Sequence, residues 1–150
     1  MVPASADPNA AEFRLEASPF YWLTRVSGRY LMDMSVLLRG IGMDVPRWRV
    51  LMILSEHAPA SISTLSEQAV INLSTMTKIV QRMEVDELVA SQPRESDARI
   101  TEVRLTEQGR EALVRVREQG SAVFRRAFGG VDDAEIEQLV TTLRRVFARF

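Results

Sequence analysis

The 150-residue chain has no cysteine and a single histidine, His57. Thiolate zinc sites, iron–sulfur clusters, cysteine nucleophiles and multi-histidine metal sites are thereby excluded, because each needs side chains that are missing. Only a carboxylate-only magnesium or calcium site stays open on this ground. No stretch approaches the roughly 20 consecutive apolar residues that span a bilayer. Met1 to Ala11 has neither a basic start nor an apolar middle, so it does not read as a secretory signal, and a cytoplasmic protein with no membrane partner is expected. There is no Gly-x-Ser-x-Gly elbow, phosphate loop, dinucleotide fingerprint or His-Glu-x-x-His helix. Glu84, Asp86 and Glu87 are better explained as a solvated helix end than as acid and base, and His57 as a residue that caps carbonyls or faces solvent. No enzyme and no cofactor are expected.

An excess of either charge is also lacking: 19 Lys and Arg face 20 Asp and Glu, for a formal net charge of −1. Phosphate neutralisation by Lys and Arg supplies most non-specific affinity for nucleic acid, so a DNA binder with this balance must segregate its charge. The chain is 46% apolar and 26% charged. That is the composition of a globular protein, long enough to bury a substantial core as one domain.

Residues 1–11, rich in Ala, Pro, Asn and Asp, show no apolar period and are expected to be a flexible tail, leaving 12–150 as the domain. Ser18-Pro19 starts a helix in which Phe20, Leu23, Ser27, Tyr30, Leu31, Met34, Leu37, Leu38 and Ile41 recur every three or four residues, ending near Gly40 to Gly42. Asp44 and Pro46 open a second helix, apolar on more than one side and so expected to be buried. After Ala58-Pro59, Ser63 is expected to cap a short third helix that runs through Ala69. Asn72 or Ser74 then caps a fourth, reaching about Asp86. Met76, Ile79, Val80 and Met83 share one face of it, with Thr75, Lys78 and Arg82 opposite.

From Leu88 to Thr106 the period changes to two, with Pro93 to Ala98 as the turn of a two-stranded hairpin. Thr106 starts a fifth helix, with Leu113, Val116, Val123, Phe124 and Phe128 on one stripe, stopped by Gly129-Gly130. Asp132 with Glu135 forms a variant capping box for a sixth, on which Ile136, Leu139, Val140, Leu143, Val146, Phe147 and Phe150 are regularly spaced. Both stripes require partners. A polar-faced helix directly before a short hairpin is the layout of a winged helix-turn-helix. A helix presenting Ser, Thr, Lys, Gln and Arg fits a major groove, and a projecting Arg fits the neighbouring minor groove.

This order of elements resembles the multiple antibiotic resistance regulator (MarR) family over nearly the whole chain after the tail. Asp97-Ala98-Arg99 followed by Val103-Arg104-Leu105-Thr106-Glu107-Gln108-Gly109 is similar to that family's wing signature and the start of its fifth helix. Ser74-Thr75-Met76-Thr77-Lys78-Ile79-Val80 resembles its recognition helix, and Trp48-Arg49-Val50-Leu51 its second helix. The resemblance implies a mainly α fold: a winged helix-turn-helix over about 44–106 with a two-stranded β wing, and a helical dimerisation region from about 18–42 and 107–150. It implies a homodimer that binds double-stranded DNA at a palindromic operator and represses transcription until a small-molecule effector binds. Carried onto this chain, the groove residues are Ser74, Thr75, Thr77, Lys78, Gln81 and Arg82, with Arg94 also on the DNA, Arg99 in the minor groove and Asp97 orienting it. The sequence departs from the family where Ser91, Gln92 and Ala98 replace wing cations, and where Glu87 stands at a position commonly Gly.

Phe20, Tyr30 and Trp48 fall on apolar stripes and suit an ordinary core. Arg25, Arg29, Arg47 and Arg49 nevertheless lie close in sequence to these aromatics. Tyr21, Trp22, Arg25, Arg29, Tyr30, Arg47 and Trp48 therefore form a candidate site for an aromatic acid or its thioester, by stacking and by carboxylate or phosphate pairing. Residues 19–30 are also similar to family members that govern aromatic-acid breakdown. The competing reading is a winged-helix protein-interaction module without DNA binding, which scattered rather than converging cations would favour.

Overall fold

The computed structural model describes residues 3–150. Met1 and Val2, at the start of the expected tail, lie outside the described residues. Single 3-10 turns at Ala4–Ala6 and Leu15–Ala17 lead into the first long helix, α1, Pro19–Gly40. It starts and stops where its sequence signals place it, with Pro at the first helical position. Only Met34 and Leu38 of α1 are buried. Phe20 and Tyr30, on the same apolar stripe, stay 58% and 37% exposed because the first part of α1 runs beyond the core.

Helix α2, Val45–His57, is capped by the Asp44 carboxylate, which accepts from the Arg47 backbone N–H at 2.9 Å. Val50, Leu51 and Leu54 are buried, as expected of this helix. Two departures from expectation follow. Ala60–Ser61 forms a short strand, β1, which pairs antiparallel with the later wing strand, so the hairpin joins a three-stranded sheet. Ser61, not Ser63, caps α3 (Ile62–Ala69): its hydroxyl oxygen accepts from the Thr64 N–H at 3.0 Å. As the last residue of β1, Ser61 already has the extended conformation that a cap requires, two residues earlier than spacing alone indicates.

Helix α4, Leu73–Val85, is capped by Asn72, whose side-chain oxygen accepts from the Thr75 N–H at 2.9 Å. The hairpin consists of β2, Val89–Arg94, and β3, Asp97–Leu105, in the order β1-β3-β2. Pairing extends to Arg94 opposite Asp97, so the turn shrinks from the expected Pro93–Ala98 to Glu95 and Ser96. The core lies where the second half of α1, α2, α3, α4 and the sheet converge with the helix that follows the hairpin. Leu51, Leu54, Leu65, Met76, Met83 and Val103 are all essentially inaccessible there. Each such side chain contributes about 1.5–3 kcal/mol relative to exposure.

Helix α5, Glu107–Phe128, starts at Thr106, whose hydroxyl oxygen accepts from the Gly109 N–H at 2.9 Å. Helix α6, Asp133–Phe147, opens on the expected Asp132–Glu135 pair, with the Asp132 N–H donating to the Glu135 carboxylate at 3.2 Å. No residue of α6 is buried. No helix among the described residues is long and apolar enough to cross a membrane.

Candidate nucleic-acid interface and ligand cleft

Helix α4 turns Met76, Val80 and Met83 into the core, which fixes its rotation about its axis. Ser74, Thr75, Lys78, Gln81 and Arg82 consequently face outward and are exposed, while Thr77 sits half-buried at the edge of that face. Arg82 does not stand free: its Nη2 donates to Asp44 Oδ2 at 2.5 Å. The same carboxylate accepts from Arg47 Nε at 3.1 Å, and Arg47 Nη1 donates to Asp86 Oδ2 at 2.8 Å. Arg47 also donates to the Gly42 carbonyl at 3.0 Å. These ion pairs fasten the start of α2 to the second half of α4.

At the wing tip, Arg99 projects with its side chain 90% exposed. Asp97 holds it through Nε at 3.1 Å and Nη2 at 3.2 Å and also accepts from the Arg99 backbone N–H at 3.1 Å. Arg99 and its hydrogen bonds keep the Asp97 carboxyl below the usual carboxylate range. Arg94 instead crosses the hairpin to Glu102, with Nε 2.6 Å from Oε1. Of these two wing arginines, Arg94 is turned toward the sheet and Arg99 is presented outward.

A cleft of about 850 Å³ opens between α1 and α5 and is reached by Leu139 of α6. It brings together Trp22, Arg25, Arg29 and Tyr30 of the candidate ligand residues, whereas Tyr21, Trp48 and Arg47 lie outside its lining. Tyr21 meets Trp22 edge to face at 5.2 Å, and the Arg25 guanidinium lies 5.3 Å from the Tyr21 ring centre. The indole N–H of Trp22 donates to the Glu16 carbonyl at 2.8 Å, which fixes that ring. Trp48 packs edge to face on Tyr30 at 5.8 Å, one layer behind the cleft. Burial pushes the Tyr30 phenol above its ordinary value, with Arg49 pulling it part of the way back.

The far wall was not foreseen. It comprises Val123, Phe124, Phe128 and Arg126 of α5, with Asp33 of α1 pairing with both Arg126 and Arg29. The stacked rings of Phe124 and Phe128, 5.1 Å apart, carried a signal in their spacing of four. Arg126 and Asp33 carried none.

The two regions are mechanically joined. The Thr106 hydroxyl donates to the Glu87 carbonyl at 2.5 Å, the Gln108 amide to the Asp86 carbonyl at 3.1 Å, and the Thr106 N–H to the Leu88 carbonyl at 3.2 Å. A Cβ on Gly109 would lie 1.9 Å from the Leu88 carbonyl oxygen, so only glycine allows this approach. The first turn of α5 thus grips the end of α4.

A family model described as the MarR family matches residues 43–101. The chain is 48% identical over 141 residues to the HTH-type transcriptional repressor IacR of Pseudomonas putida, covering 94% of this chain and 84% of that one. Among solved structures, a MarR-family regulator from Silicibacter pomeroyi superposes with a TM-score of 0.86 at 28% identity, covering 95% and 96% of the two chains. CouR from Rhodococcus jostii RHA1, solved bound to p-coumaroyl-CoA, superposes with a TM-score of 0.81 at 25% identity, covering 89% and 94%.

Proposed function

The chain belongs to the MarR family of winged-helix transcription regulators, and on that footing we propose that it is a homodimeric repressor of a palindromic operator, released by an aromatic acid or its thioester. The observation that carries the DNA reading is the outward polar face of α4 beside a wing whose Arg99 is presented to solvent. Ser74, Thr75, Thr77, Lys78, Gln81 and Arg82 are the major-groove contacts in this reading, with Arg82 exchanging Asp44 for phosphate. Arg99 enters the minor groove, whose negative potential attracts it, Asp97 aims it, and Arg94 supports the wing near the backbone. Because Arg82, Arg94 and Arg99 are already paired with carboxylates, few counterions are released and the salt dependence is shallow.

The relative IacR is named a repressor, which supports that direction of control. CouR was solved with an aromatic thioester, which supports the ligand class. In this chain the stacking surfaces would come from Trp22 and Tyr30, and the anion partners from Arg25 and Arg29. A ligand wedged between α1 and α5 biases the angle of α5, and the grip of its first turn on α4 carries that bias to the recognition helix. Ligand and operator then oppose each other by the same free energy in both directions.

Fluorescence anisotropy on a labelled duplex from the protein's own promoter tests this. Wild type is expected to bind with Kd of about 10⁻⁸ M at physiological salt. Arg99→Ala is expected to weaken binding about tenfold, and aromatic acids or their thioesters to release the duplex. Equal affinity of wild type and Arg99→Ala would remove the wing from the reading.

A further inference from the structure

The leading turn of α4 has a chemistry that its polar sequence conceals. A hydroxyl has a single proton to donate. That of Ser74 goes to the Asn72 side-chain oxygen at 3.0 Å, and that of Thr77 to the Leu73 carbonyl at 2.9 Å. The Asn72 oxygen is itself occupied by the Thr75 N–H. The hydroxyl protons of Ser74 and Thr77 are therefore engaged within the helix, which leaves their oxygens to the groove as acceptors only.

Apolar groups remain in the open. Leu73, the first residue of α4, is 53% exposed, and Val70, three positions earlier in the turn between α3 and α4, is 76% exposed. Val70 also has φ +53°, the left-handed region that a β-branched side chain adopts only at a cost. Glycine would occupy that turn without strain. A strained, exposed isopropyl group directly ahead of the groove-facing helix is a feature whose retention calls for a functional explanation.

The only apolar group on the major-groove edges of the bases is the thymine 5-methyl. We propose that Leu73, with Val70 ahead of it, reads thymine methyls in each operator half-site and so sets part of the sequence preference. This inference rests on the reading that α4 enters the major groove.

The test uses the promoter duplex and copies in which single thymines are replaced by deoxyuridine, which removes the methyl and keeps the pairing. Burying one methyl contributes about 0.8 kcal/mol, so wild type is expected to lose roughly fourfold in affinity at one thymine or more per half-site. Leu73→Ala should bind the thymine duplex that much more weakly and no longer distinguish it from the deoxyuridine copy. Val70→Gly should melt at a higher temperature yet bind the thymine duplex less tightly. Indifference of wild type to every deoxyuridine substitution, or full discrimination retained by Leu73→Ala, overturns the proposal. If Lys78→Ala and Arg99→Ala still weaken binding in that case, the groove reading stands and only the methyl contact falls. If wild type binds no duplex at all, both fall together.

Discussion

Glu87, between α4 and β2, has φ +56°, a conformation in which a Cβ crowds its own backbone. Its carbonyl is pinned there by the Thr106 hydroxyl, so the surrounding bonds hold the residue in a geometry it would otherwise leave. Glu87→Gly is expected to stabilise the protein by about 0.5–1 kcal/mol, the relief of strain outweighing the extra freedom of the unfolded chain. Chemical denaturation with an unchanged m-value checks it. The sequence marked Glu87 only as a departure from the glycine that the family resemblance implied there; the left-handed backbone at this position comes from the fold. Asp97 gives a second test at the same scale. Its folded-state pKa is depressed by Arg99, so its favourable contribution is present above the ordinary carboxylate pKa and lost as pH falls through the lower folded value. An NMR titration should find the Asp97 carboxyl below its usual range in wild type and moved up toward it in Arg99→Ala, which keeps only the backbone N–H bond. The Asp33–Arg126 pair was not legible, since its partners are 93 positions apart and nothing local marks either one.

Among the elements, helices announced by a cap and an amphipathic stripe were read closely from the sequence, α1 and α4 being the clearest cases. What escaped was decided by partners distant in the chain. Ala60–Ser61 is too short to show a period and is a strand only because Val103 and Glu102 pair with it. Once it forms, Ser61 takes the cap that spacing assigned to Ser63. The wing turn was read too long because Pro93 and the polar residues after it look like loop, while the pairing of Arg94 with Asp97 keeps them in the ladder. Half of the cleft was visible on α1, where aromatic and Arg residues are close in sequence; its α5 wall read as ordinary packing. The junction between α4 and α5 predicts a measurable loss. Thr106→Val removes both the acceptor for the Gly109 N–H and the donor to the Glu87 carbonyl, and should cost about 1–2 kcal/mol. Faster hydrogen exchange at Gly109 would locate that loss at the junction.

For the whole molecule, apolar surface is distributed in a way that a single copy does not resolve. Phe20, Val26, Phe124, Leu139, Leu143 and Phe147 on α1, α5 and α6 are all more than a third exposed. Apolar surface exposed in this amount marks an interface, and here it lies on the helices that the proposed dimer would bury. The sequence showed these stripes as lacking partners, and folding one chain leaves them so. Leu143→Glu is expected to shift sedimentation from a dimer toward the 16.9 kDa monomer and to abolish operator binding, while circular dichroism keeps most of its helical signal. A variant that stays dimeric and bound would move the interface off α6. In the proposed dimer, two copies present matched recognition helices and wings to one duplex. Hydroxyl-radical footprinting of the promoter with wild type and Arg99→Ala tests it most directly. Two protected patches with centres about 10–10.5 base pairs apart, flanked by minor-groove protections that vanish in Arg99→Ala, are expected. A single patch, or flanking protections that survive the loss of Arg99, would contradict it.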